Sequence, residues 1–129
     1  MTESIHGKPR INKTVLVVED DFASKQYLLL LLKKLDYQVH SADSGEQALT
    51  LMKDKEVDLM LLDIALGPGI SGIELGIILK KEKRLSKTPM IAVSAFSKDK
   101  FRKLKTAGFA DYLAKPFTMN QLKTLLEQY

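Results

Sequence analysis

Ionisable and hydroxyl side chains stand directly after short apolar runs at several points of this sequence. They are Glu19, Asp20, Asp21, Asp63, Ser94 and Lys115. Nearly uninterrupted apolar runs of this length are typical of strands buried on both faces of a parallel sheet. The carboxyl ends of such strands form the edge at which α/β proteins collect their functional groups. We therefore expect these side chains to lie close together.

Three of these side chains would crowd negative charge into one place. Glu19, Asp20 and Asp63 repel one another unless a cation lies between them. A few hard oxygen ligands favour Mg²⁺, which keeps several waters and usually works on phosphates. Lys115 supplies an opposite charge that suits a phosphoryl or carboxylate group. Asp21, by contrast, is explained by capping a helix.

Alternating strands and helices must position this edge. Apolar runs predict strands at 14–18, 59–62 and 90–93, with shorter ones around Val39 and at 112–114. The first two helices are predicted from the cap Asp21 to about Leu35, and over 45–53 after Ser44 with Gln47 at the capping-box position. A third helix includes the apolar residues of 73–79 and ends before Pro89. A fourth runs over 97–107 and is closed by Gly108, and a fifth lies around Leu122, Leu125 and Leu126. Five strand–helix units predict a doubly wound α/β sheet.

Length and composition allow one domain. The chain has 129 residues, of which 45% are hydrophobic and none is cysteine, so a disulfide scaffold, a thiolate zinc site and a cysteine nucleophile are excluded. We interpret residues 1–13 as a flexible tail and residues 14–129 as the domain. The longest apolar run, 28–32, is far shorter than the roughly 20 residues of a membrane span. We expect a cytoplasmic protein that does not enter a membrane.

Four segments together resemble the receiver domain of two-component response regulators. They are residues 15–21 (VLVVEDD), 58–64 (DLMLLDI), 91–95 (IAVSA) and 111–117 (DYLAKPF). The resemblance spans residues 14–128 and implies a flavodoxin-like fold, with five strands in the order 2-1-3-4-5 and five flanking helices. In that order Lys115 lies two strands from Asp63, about 10 Å, which a lysine and a phosphoryl group can bridge together.

The resemblance also implies a role for each side chain at the edge. Asp63 would accept a phosphoryl group from a histidine kinase or a histidine phosphotransfer protein. Asp20 would bind Mg²⁺ directly, Glu19 would hold it largely through water, and the carbonyl of Ala65 would complete the ligands. Ser94 and Lys115 would contact the phosphoryl group. Tyr112 would be the aromatic switch that signals to a downstream protein target.

By the same resemblance the chain is a signalling domain rather than an enzyme, because it promotes only its own phosphorylation and dephosphorylation. We expect slow dephosphorylation, since Ala65 and Phe96 occupy the two positions that flank the hydrolytic water and neither can orient it. The loop after Asp63 is one residue longer than the common form, and Gly67 and Gly69 replace a usual Met-Pro turn. This difference could alter the choice of partner.

Other functions remain open from the residues alone. Residues 67–72 spell G-x-G-x-x-G, which invites a nucleotide- or flavin-binding module, but the motif follows the third strand instead of the first. A Mg²⁺-dependent phosphatase would use Asp63 as nucleophile, yet it usually presents a second acid where Ala65 stands. Ten of the twenty Lys and Arg residues fall within 80–105. We expect that basic region to face an acidic protein rather than DNA, since no aromatic ladder interleaves the charges.

The first helix is a candidate docking face. Its leucines at 28–32 sweep more than a full turn, so the sheet cannot bury all five, and one or two should be exposed. Docking of a phosphohistidine partner is the favoured use and a homodimer is the other. We expect a stand-alone receiver that switches protein interactions, and a receiver cut from a hybrid kinase is the alternative that the sequence does not separate from it.

Overall fold

Five parallel strands form one sheet in the computed structural model, which describes residues 13–95 and 101–129. The strands are β1 (Thr14–Val18), β2 (Gln38–Ala42), β3 (Leu59–Asp63), β4 (Met90–Ser94) and β5 (Asp111–Ala114), in the order β2-β1-β3-β4-β5. All four neighbouring pairs are parallel. This is the predicted order, and it places β3 at the centre of the sheet.

Helices cover both faces of the sheet. They are α1 (Phe22–Lys34), α2 (Gly45–Leu51), α3 (Gly72–Lys81), α4 (Phe101–Thr106) and α5 (Met119–Leu126), with a short 3-10 helix at Lys83–Leu85 between α3 and β4. Alternate residues of each strand feed two cores, as the two-residue period of a strand requires. On β1, Leu16 and Val18 join the core of α2, α3 and α4. Val15 and Val17 join the core of α1 and α5.

Capping side chains set where the helices begin. The carboxylate of Asp21 accepts the Ser24 N–H at 2.8 Å and so starts α1, as predicted. Reciprocal capping boxes start α3 through Ser71 and Glu74, and α5 through Thr118 and Gln121. Both boxes have the sequence pattern of a hydroxyl residue followed three positions later by Glu or Gln, which could have predicted the starts of α3 and α5.

The second helix begins at Gly45 after the cap Ser44, as predicted, but its capping box and its end differ from the prediction. Ser44 caps it by accepting the Gln47 N–H, but the Gln47 side chain accepts the N–H of Asp43 and not that of Ser44, so the predicted capping box is incomplete. The helix ends at Leu51 instead of residue 53. Its closing turn is tight, and the Arg84 guanidinium donates to the carbonyl of Met52, which continuation of the helix would otherwise use.

The remaining boundaries agree with the sequence to within a residue or two where they can be compared. Gly108 follows α4 with a φ of +104°, the left-handed conformation of the glycine that commonly ends a helix. The predicted start of α4 at residue 97 and the predicted tail up to residue 12 lie outside the described residues. Among the described residues, no helix is both long enough and apolar enough to cross a bilayer.

Candidate functional site

The polar residues singled out in the sequence meet at the carboxyl edge of the sheet. Glu19 and Asp20 follow β1, Asp63 ends β3, Ser94 ends β4, and Lys115 follows β5. Parallel pairing aligns these ends, because Asp63 pairs with Val93 and Ser94 pairs with Ala114. The neighbouring strands therefore deliver one functional side chain after another to a single cleft.

Three carboxylates form a compact cluster in that cleft. Glu19, Asp20 and Asp63 each present an oxygen, and these oxygens all lie within 4.8 Å of one another. Glu19 and Asp63 are 3% and 5% exposed, whereas Asp20 is exposed. A cluster of two buried acids and one accessible acid fits a small divalent cation, which needs few protein oxygens and retains water.

The Lys115 ammonium lies against the two buried acids. Its Nζ is 2.6 Å from Glu19 Oε1 and 3.3 Å from Asp63 Oδ2. Burial by itself lowers the pKa of Lys115, but the hydrogen bonds and negative charges of Glu19 and Asp63 outweigh burial and raise it. Lys115 is therefore a permanent cation at neutral pH, placed where a group attached to Asp63 would project.

Glu19 titrates near neutral pH. Burial, followed by its hydrogen bond with Asp63, raises the pKa of Glu19 from its ordinary 4.5 to about 7, while Lys115 and the Asp21 N–H oppose the increase. The ionised form is thus costly in this cleft. A cation bound beside Glu19 would favour that ionised form.

Backbone N–H groups orient each of the three acids. Asp63 Oδ1 accepts the Ala65 N–H at 2.8 Å, and Glu19 Oε2 accepts the Asp21 N–H at 3.1 Å. Asp20 Oδ2 accepts the Gly67 N–H at 3.3 Å. The loop after β3 therefore contacts two of the three acids through its backbone. Ala65 is exposed and lies two residues after Asp63 on this loop.

The two residues assigned to switching lie on β4 and β5. Ser94 is 8% exposed at the end of β4, beside the acids. Tyr112 is half-buried, and its ring packs against Phe101 of α4 with 5.1 Å between the ring centroids. Tyr112 therefore lies on the face of the sheet that α4 covers. Phe96, which with Ala65 is expected to flank the hydrolytic water, lies outside the described residues.

Two contacts near the site had no signal in the sequence. Tyr27 of α1 donates its hydroxyl to the Phe117 carbonyl at 2.9 Å, and their rings are 5.6 Å apart. This contact fixes the segment that follows Lys115 against α1. Beside it lies a cavity of about 620 Å³ that reaches from Tyr27 to Lys115 and Glu19. Glu46 of α2 contacts the loop after β3 at Ile70.

Helix α1 exposes apolar side chains at its start, next to the cleft, and again two turns further on. Phe22, directly after Asp21, is 73% exposed and Leu30 is 52% exposed. Leu28, Leu31 and Leu32 are buried in the core shared with α5. The expectation that one or two of the leucines would be exposed is thereby confirmed at Leu30.

The basic region is partly occupied within the fold. Lys80 donates to the Thr88 carbonyl at 2.8 Å, and burial lowers its pKa. Arg84 donates to the carbonyls of Met52 and Lys55. Lys105 lies 5.7 Å above the Phe101 ring. Some of these cationic side chains therefore make contacts within the fold, which leaves fewer of them free to reorient toward a partner.

A family model for the response regulator receiver domain matches residues 15–127. The signal transduction histidine-protein kinase BarA of Escherichia coli is 35% identical over 97% of this chain, which spans 14% of that protein. The polar-differentiation response regulator DivK of Brucella ovis is 31% identical over 92% of this chain and 97% of its own length. These comparisons give no support to the phosphatase, nucleotide, flavin or nucleic-acid alternatives.

The fold is also similar to solved structures. A receiver domain of a Pseudomonas aeruginosa sensor histidine kinase superposes with a TM-score of 0.83 at 28% identity, covering 92% of this chain and 98% of that one. That structure holds a magnesium ion coordinated in its active site cleft.

Proposed function

This chain belongs to the response regulator receiver domain family, and from that premise we propose that Asp63 accepts a phosphoryl group from a phosphohistidine partner. The chain is a receiver domain of two-component or phosphorelay signalling. The observation that carries the proposal is the position of Asp63: a buried carboxylate at the centre of the sheet, within reach of two further acids and of Lys115.

The chemistry follows from that geometry. The Asp63 Oδ atom attacks the phosphorus in line, an acyl phosphate bond forms, and the phosphorus–nitrogen bond to the donor histidine breaks, so that the partner keeps the electron pair and takes a proton. There is little covalent work for the protein in such a transfer, and catalysis is positioning and charge neutralisation. Asp63 is already oriented by the Ala65 N–H.

Mg²⁺ is the cofactor that we propose for the acid cluster, with Asp20 and Asp63 as direct ligands, Glu19 acting largely through water and the Ala65 carbonyl completing the protein ligands. When bound, it would supply positive charge to the phosphoryl oxygens and to the three carboxylates. The close approach of the three carboxylate oxygens supports this assignment. The magnesium ion in the related sensor-kinase receiver is in accord with it.

The product carries more negative charge than the carboxylate it replaces, roughly −1.5 to −2 by analogy with other phosphorylated side chains. We propose that Lys115 neutralises part of this charge and that Ser94 donates its hydroxyl to a phosphoryl oxygen. Movement at Ser94 would then reach Tyr112, whose ring packs on α4. Tyr112 also lines a groove of about 510 Å³ between β5 and α5, where a downstream protein target could distinguish the two states.

The first test is covalent. The protein is incubated with Mg²⁺ and a small acyl phosphate donor, and its intact mass is measured. We expect the wild type to gain one phosphoryl group and Asp63→Asn to gain none. Chelation of Mg²⁺ should stop the reaction in the wild type, because the three acids would then repel the donor. A wild type that gains no phosphoryl group from any competent donor would rule out the proposal.

The docking partner is tested separately. We propose that the α1 residues Phe22 and Leu30 meet a histidine kinase or a histidine phosphotransfer protein beside the acid cluster. Their replacement by Ser should slow transfer from that partner and leave transfer from the small donor unchanged. Ile77→Ser and Ile78→Ser on α3 are matched controls, since both residues are 39% exposed and their helix packs on the other face of the sheet. Equal slowing with both donors would argue against docking through α1.

A further inference from the structure

The loop between β3 and α3 ends at Gly72, which packs against the backbone of Asp63 and Ile64. A Cβ atom added at Gly72 would lie 2.1 Å from the Asp63 carbonyl oxygen and 2.5 Å from the Ile64 Cα. Only glycine permits that approach, so α3 begins in direct contact with the backbone of the phosphoacceptor. Gly72 therefore has a packing role at this site, whereas the sequence pattern of residues 67–72 had suggested a cofactor motif.

A single carboxylate from another helix holds the middle of this loop. Glu46, in the first turn of α2, accepts the Ile70 N–H at Oε2 over 2.9 Å. Gly69 has a φ of +104°, and a Cβ there would come within 2.7 Å and 2.8 Å of the two Glu46 oxygens. At Gly45, a Cβ would lie 2.3 Å from the Ile70 side chain. The first turn of α2 and the loop are thus fitted closely to each other.

The first part of the same loop contacts the acid cluster at Gly67. The Gly67 N–H donates to Asp20 Oδ2 at 3.3 Å, and Asp20 is an exposed side chain that the protein surrounds on few sides. A chain of contacts therefore runs from Glu46 through Ile70 and the loop backbone to Gly67 and Asp20. Hydrogen-bonded partners of a metal-binding carboxylate fix its direction and so its affinity for the ion.

We propose that Glu46 is a positioning residue for the metal site, acting through the β3–α3 loop on the direction of the Asp20 carboxylate. This inference rests on the proposed function of the acid cluster. The Glu46 carboxylate accepts the Ile70 N–H, so it acts on the position of the loop and is not itself a ligand of the metal. Two rival accounts give Glu46 a different role: its negative charge attracts Mg²⁺ through space, or it stabilises the N-terminus of α2.

Three substitutions of Glu46 separate these accounts. Glu46→Gln keeps an oxygen acceptor at the same reach and removes the charge, Glu46→Asp keeps the charge and shortens the reach, and Glu46→Ala removes both. Calorimetric titration of each full-length variant with Mg²⁺ should show Glu46→Gln within about twofold of the wild type. Glu46→Asp and Glu46→Ala should bind roughly three- to tenfold more weakly, which is less than the about 10–100-fold loss typical of a partner that touches the ligand directly.

A second measurement needs no metal. In the chelated protein, the amide resonances of Gly67 and Ile70 should shift and their hydrogens should exchange faster in Glu46→Ala and Glu46→Asp, and stay near wild type in Glu46→Gln. Thermal unfolding of each variant reports the stability of α2. Loss of the α2 N-terminal charge alone would lower the melting temperature of Glu46→Gln and Glu46→Ala equally.

Each outcome decides the inference. Equal weakening of Mg²⁺ binding in Glu46→Gln and Glu46→Ala, with Glu46→Asp unchanged, would overturn it in favour of a through-space charge. Unchanged binding in Glu46→Ala would overturn it outright. A wild type that binds no Mg²⁺ would refute the metal site of the proposed function, and this inference with it, whereas normal wild-type binding confines any failure to Glu46.

Discussion

The two sides of the acid cluster differ in what holds them. On one side, Glu19 is 3% exposed and is bound by the Lys115 ammonium. On the other side, Asp20 is exposed and is bound by a backbone N–H of a glycine-rich loop. The charge of Lys115 offsets the cost of burying Glu19. A backbone hydrogen bond from the surface loop orients Asp20.

Because of this difference, removing an acid or its partner should have different consequences on the two sides. A buried acid that loses its counter-charge leaves the protein less stable, because no water replaces the lost partner. An exposed acid that is removed leaves the fold nearly unaffected, because water already solvates its surroundings. The buried side should therefore govern stability and the exposed side should govern metal binding.

The largest effect is expected from Lys115→Met. At pH 8 with Mg²⁺ chelated, its free energy of unfolding should fall by about 3 kcal/mol, because Glu19 is left buried without its cation and must either stay ionised or take up a proton from the solvent. Asp20→Ala should change the same free energy by less than about 0.5 kcal/mol. Urea denaturation measures both. The double variant Lys115→Met with Glu19→Gln should recover much of the loss. Equal stability of Lys115→Met and Asp20→Ala would show that the buried side does not govern stability.

A pH effect of somewhat smaller size should come from Glu19. Its pKa in the folded protein is raised from 4.5 to about 7, so the folded state binds a proton that the unfolded state has already released. The resulting stabilisation is complete below pH 4.5 and is lost as the pH rises through about 7. We expect a loss on the order of 2 kcal/mol in the chelated wild type, measured by urea denaturation across this range. The same decline in Glu19→Gln would assign it to other groups.

The exposed side is tested through metal affinity. Asp20→Ala should weaken Mg²⁺ binding by more than about tenfold, because it removes the proposed direct ligand on the open side of the cluster. Calorimetric titration gives the dissociation constant. Asp21→Asn is the matched control, since Asp21 is a neighbouring exposed acid whose carboxylate caps α1 and whose pKa is lowered by the Ser24 N–H that it accepts. Unchanged affinity in Asp20→Ala would remove Asp20 from the site.

The smallest effect concerns the lifetime of the phosphoryl group. Ala65 is exposed on the open side and carries no group that can orient a water molecule, so the acyl phosphate should persist well beyond seconds. Ala65→Asn combined with Phe96→Glu should shorten that lifetime severalfold. Decay is timed by intact mass with Mg²⁺ present. Decay within seconds in the wild type, or no acceleration in the double variant, would show that these positions do not control hydrolysis.

The sequence predicted the parts of this molecule that depend on local pattern. Uninterrupted apolar runs place β3 and β4 correctly, since strands buried on both faces leave that pattern. The meeting of Glu19, Asp63 and Lys115 follows from strand ends that share one edge. Their separate roles stay predictions, because a distance between side chains does not identify a reaction.

What the sequence could not predict depends on contacts between distant segments. Glu46 and Ile70 are 24 positions apart, and Tyr27 and Phe117 are 90 apart. Neither pair has a spacing rule that links its members. The depth at which Glu19 is buried, and so its pKa, is likewise set by how the helices close over the sheet. The early end of α2 depends on Arg84, which approaches from beyond α3.

Borohydride trapping identifies the residue that carries the phosphoryl group, which we propose is Asp63. The protein is phosphorylated with Mg²⁺ and a small donor, the acyl phosphate is reduced, and the converted residue is located by peptide mass spectrometry. Reduction turns a phosphorylated aspartate into homoserine, so we expect homoserine at position 63 and unaltered aspartates at 20 and 21. Homoserine at another position, or none in a protein that has gained the mass of a phosphoryl group, would contradict the assignment.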